Sequence, residues 1–351
     1  MSTRSTALRV VAGGSRENAG PANPPPLISV IIPTYRRPAL LARCLRAVLT
    51  QRFDACEFEV IVVDDGHTDD TRAVVESIMP ADGLPAVRYL RPENGRGPAV
   101  ARNCGWQAAR GELIAFTDDD TIPDSFWLAC GELAMRMNRD RLVALCGQVS
   151  VPLPPARRPT DHELMTLGLE SAEFVTANAF VWREALARVG GFDERFKRAW
   201  HEDSDLHFRL LKEAGPVGRC PTARVVHPVR RERWGICLRQ QRNAFFDALL
   251  YKKHPQLYRE RIHRQAPWNY YLIVLLVLAV PLLALNGLGA LAAVSGFAAL
   301  GLVVLFALRR LRKTARDPAH VLEMLLTSAL IPFLSVYWRL LGAIRFRVLF
   351  W

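Results

Sequence analysis

Two aspartates one residue apart, Asp118 and Asp120 in "AFTDDDTIP", close an apolar run. In extended chain alternate side chains share a face, so this pair can point together while Asp119 points elsewhere. Two carboxylates offering only oxygen suit Mg2+ or Mn2+ held jointly with substrate phosphates. A solvated acidic turn is the competing reading; its place after a buried strand, with other acidic strand ends nearby, favours the metal. A second pair, Asp64 and Asp65 in "VVDDGHTDDT", ends another apolar run. A carboxylate there can accept from a base N–H or a ribose hydroxyl, or simply cap a turn. In "HEDSDLHFRLLKEAG" the acidic residues open a helical pattern, where the helix N-terminus favours the ionised form. A His201/Asp205 metal pair four residues apart is a weaker possibility.

The elements that must position these groups are legible in periodicity. "LISVIIPTY" is a continuous apolar, β-branched run and reads as a buried strand. "RPALLARCLRAVLTQ" repeats apolar residues at the helical period. "FEVIVVDD" is a second strand, "TRAVVESIM" a helix, "AVRYL" a short strand, "GPAVARNCGWQAAR" a helix and "GELIAFTDDD" a fourth strand. This alternation predicts an α/β fold with a mainly parallel, doubly wound sheet. Ligands of such sheets bind beyond the carboxyl ends of the strands. Three strands end in polar residues (Thr34-Tyr35, Asp64-Asp65-Gly66 and Asp118-Asp119-Asp120) that can converge on one crevice. Further on, "TANAFVWREALARVGGFDERF" predicts a strand or turn followed by a helix, and "ARVVHPV" a short strand ending at His227.

Apolar residues are concentrated late in the 351-residue chain, where 270–308 carries no charged residue. That run divides at "LNGLG" and predicts a membrane hairpin over 269–309, with Pro281 kinking or tilting its first helix. Basic residues flank both outer ends, which the positive-inside rule places in the cytoplasm. Residues 310–351 predict a cytoplasmic loop and then a third apolar stretch (321–351) with Glu323, Pro332 and Arg339; an amphipathic or re-entrant interfacial helix anchored by Tyr337 and Trp338 fits it better than a third membrane helix. Residues 1–26 predict a disordered leader, and 231–268 a basic helical juxtamembrane segment. The formal net charge of +12 favours anionic partners. The seven cysteines show no close pairing and predict reduced core thiols.

"ISVIIPTYRR", "IVVDDGHTDDT", "NGRGPAVARNCGW", "GELIAFTDDD", "ANAFVWREALARVGGFDERF" and "HEDSDLHFRL" occur in this order. Together they make residues 27–230 resemble a glycosyltransferase of family 2, the inverting class with a GT-A (nucleotide-diphospho-sugar transferase) fold. The resemblance implies a nucleotide pocket lined by Pro33, Thr34 and Tyr35. Asp65 would hold the base with Asp64 beside it, and Arg102 and Asn103 would lie under the donor. It assigns Asp118 and Asp120 to the metal that bridges the diphosphate, with Asp119 facing elsewhere, towards the ribose. It makes Asp203 the catalytic base, with Glu202 adjoining, and His227 a further metal ligand. Processive polysaccharide synthases of the family carry Q-x-x-R-W; here "QQRNAFF" has Asn243 in place of Trp, favouring transfer of one or a few sugars.

The expected protein is a metal-dependent inverting glycosyltransferase using Mn2+ or Mg2+. It is anchored in the cytoplasmic membrane with its catalytic domain facing the cytosol. The donor would be a UDP-sugar, although GDP- and dTDP-sugars use the same framework, and the acceptor a lipid-linked or cell-envelope glycan; membrane lipid, but no nucleic acid, is expected as a partner. A sugar-nucleotide pyrophosphorylase is the first rival, but "IIPTYRRP" lacks the glycine-rich loop that a triphosphate needs. A non-catalytic membrane scaffold is the second, and it has no use for three costly carboxylates.

Overall fold

The computed structural model describes residues 25–350, so most of the expected leader lies outside the described residues. The chain divides into two compact units. One runs to Pro152 and resumes over Leu169–Pro228; the other combines Leu153–Gly168 with Val229–Trp351.

The first unit opens as its periodicity predicts: β1 (Ile28–Thr34), α1 (Pro38–Leu49), β2 (Phe58–Asp64), α2 (Asp69–Ile78), β3 (Ala86–Leu90), α3 (Pro98–Ala108) and β4 (Leu113–Thr117). Proline at the start of α1 and α3 suits a helix N-terminus, where its missing N–H costs nothing. Thr68 caps α2, its Oγ1 accepting from Thr71 N. There follow β5 (Ile122–Pro123), α4 (Trp127–Met137) and β6 (Ala144–Ser150). In the second unit Thr160 and Glu163 close a capping box on α5 (Asp161–Leu167). Back in the first come β7 (Asn178–Trp182), α6 (Arg183–Val189), α7 (Glu202–Arg209) and β8 (Val217–Val226).

The eight strands form one sheet in the order β3-β2-β1-β4-β7-β6-β8-β5. The pairs β3-β2, β2-β1, β1-β4 and β6-β8 are parallel. β7 runs antiparallel to both β4 and β6, and β5 antiparallel to β8, so the sheet is mixed rather than uniformly wound. β2, β4 and β7 are buried at every position, as strands covered on both faces must be. Gly131 lets Phe180 lie flat against α4, since a Cβ there would collide with the ring. Trp127 packs on the same ring with centroids 5.1 Å apart.

Register sets the site. Thr34 pairs with Asp64 across β1 and β2, and Ile31 pairs with Phe116 across β1 and β4, which brings Thr34 level with Asp119. His227 follows directly on β8, its N–H donating to Ser150 O at the end of β6 (2.8 Å).

The second unit continues through short helices α8 (Ile236–Gln240), α9 (Ala244–Lys253) and α10 (Pro255–Arg261) to α11 (Trp268–Leu285), α12 (Gly289–Leu311) and α13 (Pro318–Phe346). The last three are long and apolar enough to cross a membrane, each containing an 18-residue stretch of mean hydropathy 2.1, 2.5 and 1.6 respectively. The third apolar stretch is thus one continuous helix, carried through Pro332.

Candidate active site

The acidic triplet does not sit on the strand as expected. β4 ends at Thr117, and Asp118–Asp120 form a turn closed by Thr121, whose N–H and Oγ1 both donate to Asp118 O (3.1 and 2.8 Å). The turn still separates the three carboxylates. Asp118, Asp120 and His227 offer one ligand atom each, all within 4.8 Å of one another. Asp119 turns instead into the protein: Thr34 Oγ1 donates to its Oδ2 at 2.7 Å and Arg37 Nη1 to its Oδ1 at 3.0 Å. Arg37 also reaches Asp120 Oδ2 at 3.4 Å. Burial pushes Asp119 up to about 6 even against this cation.

Arg102, only 3% exposed, bridges two parts of the site. Its Nη2 donates to Asp118 Oδ1 at 2.7 Å and its Nη1 to Glu202 Oε1 at 2.9 Å. Burial works to raise the Asp118 pKa, but Arg102, with His227 and Arg37, outweighs it and holds the carboxyl below its ordinary range. Asp118 is therefore ionised, as a metal ligand must be. Two carboxylates and an imidazole, with His227 Nδ1 buried and unpartnered, make a donor set that fits a divalent cation.

Glu202 and Asp203 begin α7, after His201 turns the chain through a left-handed conformation (φ 69°). Ser204 N donates to Asp203 Oδ1 at 2.7 Å. Burial raises the Asp203 pKa, opposed by His201, the Ser204 N–H and Arg102. Burial, then the neighbouring Asp203, pushes Glu202 up to about 7 against the pull of Arg102. Glu202 Oε2 is buried without a partner.

The pair that ends β2 divides its work. Asp64 accepts from Gly66 N, Thr68 N and Tyr89 Oη at 2.8, 2.9 and 2.6 Å, tying the turn after β2 to β3. Asp65 Oδ2 accepts from Gly97 N at 2.9 Å, and its Oδ1 is buried with no partner. That oxygen is an acceptor which a base N–H or ribose hydroxyl would satisfy. Pro33 and Tyr35 flank Thr34 at the end of β1, and the Tyr35 ring is exposed.

Asn103, expected under the donor, has all four hydrogen-bonding positions taken within the protein. Its Nδ2 donates to Phe192 O and Glu194 Oε1, and its Oδ1 accepts from Phe192 N and Trp106 Nε1. In the weaker His201/Asp205 pairing, Asp205 Oδ2 accepts from Arg209 Nε at 2.9 Å.

Sequence reasoning passed over Arg37, the cation that lies against Asp119 and Asp120. A signal existed: Arg37 stands at the N-terminal cap of α1, where the helix dipole disfavours a cation without nearby anions.

Comparison with known proteins extends this picture. Residues 29–201 match the family described as glycosyl transferase family 2, a stretch that stops just before Glu202. A validoxylamine A glucosyltransferase of Streptomyces hygroscopicus is 31% identical over 278 residues, covering 67% of this chain and 63% of that protein. A GalNAc(5)-diNAcBac-PP-undecaprenol beta-1,3-glucosyltransferase of Campylobacter jejuni is 36% identical over 199 residues, 54% of this chain and 60% of the relative. The chain thus spans less than two thirds of the length of either. A mannosyltransferase of Pyrobaculum calidifontis, solved with GDP-Man and Mn2+, superposes with a TM-score of 0.57 at 20% identity. That match covers 90% of this chain and 87% of the other, and it shows the GT-A-like fold. With its motifs in order and its strand ends converging, the chain belongs to glycosyltransferase family 2.

Proposed function

We propose that the protein transfers a sugar, with inversion, from a nucleoside diphosphate sugar to an acceptor hydroxyl, using Mn2+ or Mg2+. The observation that carries this reading is the meeting of Asp118, Asp120 and His227 beside Arg102, which links Asp118 to the residues that open α7.

Asp118, Asp120 and His227 would hold the cation. When bound, it would neutralise the charge that grows on the leaving diphosphate. Asp65 Oδ1 would accept from the base or ribose. Inversion is a single in-line displacement: the acceptor oxygen bonds to the anomeric carbon as the bond to the diphosphate oxygen breaks. The electron pair leaves on the diphosphate, and Asp203 takes the hydroxyl proton. A carboxyl raised by burial is a stronger base than an exposed one, nearer the pKa useful at neutral pH. The acceptor reading, a lipid-linked or envelope glycan facing the cytosol, rests on the apolar helices and on an undecaprenol-linked substrate in one relative's name. UDP is the donor nucleotide we favour.

A thermal-shift screen of the full chain in detergent against UDP-, GDP- and dTDP-sugars, with and without Mn2+, tests donor and metal together. One donor should give a metal-dependent rise in melting temperature. Asp203→Asn should keep that rise while losing about 10²- to 10⁴-fold in transfer rate. Transfer that survives the substitution would remove Asp203 from the base role.

A further inference from the structure

By length and composition α13 is a third membrane span, yet its contacts within its own unit tie both of its ends to segments that have not crossed a bilayer. Just before the helix, Ala315 N donates to Pro159 O (2.8 Å), and Arg310 Nη2 donates to Asp161 Oδ2 (2.7 Å). Pro159 and Asp161 lie in the segment 153–168, which leaves the sheet-bearing unit at Pro152 and rejoins it at Leu169. Those 16 residues are far fewer than the ~40 needed to cross a bilayer and return. They therefore do not cross a bilayer between Pro152 and Leu169, and they hold the start of α13 on the membrane face they share with those two residues.

The far end is tied in the same way. Arg339 Nη2 donates to Asp247 Oδ2 at 3.2 Å, and Lys252 Nζ donates to Phe346 O at 2.6 Å. Gly342 lies so close to α9 that a Cβ would collide with Phe245 O. Asp247 and Lys252 precede α11, the first apolar helix. The 236–253 stretch that accompanies α13 carries Arg239, Arg242, Asp247, Lys252 and Lys253, and is not itself apolar enough to cross. A spanning helix must have its ends on opposite sides; the ends of α13 are on one.

The two faces of the helix agree. Thr327, Ser328, Ser335 and Arg339 are buried against protein. Leu322, Leu326, Leu330, Tyr337, Leu340 and Ile344, at helical spacing, are exposed. Polar groups inward and leucines outward is the pattern of a helix whose outer surroundings are hydrocarbon. Two companion helices of the same unit, α11 and α12, supply that hydrocarbon by bringing the unit to a bilayer.

We propose that α13 does not cross the membrane but lies flat in the leaflet on the catalytic side, its leucine face sunk among the acyl chains of that leaflet. Only α11 and α12 then cross, as a hairpin. The partner is a lipid monolayer, and the proposal takes from the functional reading only that α11 and α12 enter a membrane, so failure of sugar transfer leaves it standing.

Spin labels placed one at a time by Leu322→Cys, Leu330→Cys and Ile344→Cys, with the exposed Cys56 replaced by Ser, test this in the reconstituted full chain. Collision-based depth measurement should put all three at one shallow depth, about 5–10 Å below the headgroups. A profile with Leu330 near the midplane and the other two at opposite surfaces would overturn the proposal. A second assay leaves the leucine face intact: a protease-sensitive tag after Trp351 should be cleaved only from the membrane face at which Cys56 is labelled. Cleavage from the opposite face would overturn it as well.

Discussion

Three adjacent carboxylates survive at one turn because each lies against a basic side chain. Arg102 holds Asp118, Arg37 and Thr34 hold Asp119, and Asp120 lies between Arg37 and His227 (3.4 and 3.5 Å). Burial sets the proton affinities, with the arginines opposing it. With its pKa pushed up to about 7, Glu202 is neutral in the folded protein at acidic pH and charged above neutrality. A raised carboxyl supports folding below its unfolded pKa, and that support is lost as pH rises through the folded value. Metal-free full-length protein should therefore lose stability between about pH 5 and pH 8, by on the order of 1–3 kcal/mol from this group. Glu202→Gln should flatten that loss, read as a smaller fall in melting temperature over the same range. Parallel pH profiles for the two proteins would show that Glu202 is already ionised in the fold. The sign was not legible in "HEDSD", since a helix N-terminus alone would lower both carboxyls; burial beside each other reverses it, against the pull of Arg102.

At the scale of elements, the site depends on loops held by side chains remote in sequence. Asn103 on α3 fastens the loop around Phe192, and Gly191 (φ 69°) leaves no room for a Cβ against Asn103 Oδ1. Asn103→Ala would orphan the Phe192 N–H and C=O and the Trp106 Nε1–H together. Each buried unsatisfied group costs about 1–3 kcal/mol, with partial relaxation, so a loss of about 2–4 kcal/mol is expected in denaturant or thermal melts. A loss below about 1 kcal/mol would mean that water replaces the amide. The helices and parallel strands of the first half were readable because their period is local. The antiparallel insertion of β7 between β4 and β6 was not, because nothing in "NAFVW" records the direction of its neighbours.

Across the whole molecule, two units of different solvent preference share one chain. α11 exposes Leu275, Leu278, Leu282 and Leu285, which is costly in water and favourable in hydrocarbon. The protein should stay in the membrane pellet through alkaline carbonate and high-salt washes, where a surface-bound protein would be released. Recovery in the carbonate supernatant would show that α11 and α12 do not insert. The helical unit also takes a short piece, 153–168, from the middle of the sheet-bearing sequence. The family resemblance placed the catalytic region as one run over 27–230, and only contacts such as Asp161 with Arg310 reveal the exchange.

By itself the sequence determined the α/β alternation, the acidic strand ends, the motif order and the apolar helices, because periodicity and motif spacing are written over neighbouring residues. Tertiary structure decided what those groups do to one another. Strand register brings Thr34 and Arg37 to Asp119, more than 80 residues away, and α3 brings Arg102 between Asp118 and Glu202. It also decided that Asp64 and Asn103 are bound within the protein while Asp65 keeps one oxygen unpartnered. Charge pairing and desolvation act through space, and the distances they depend on exist only once the sheet has closed.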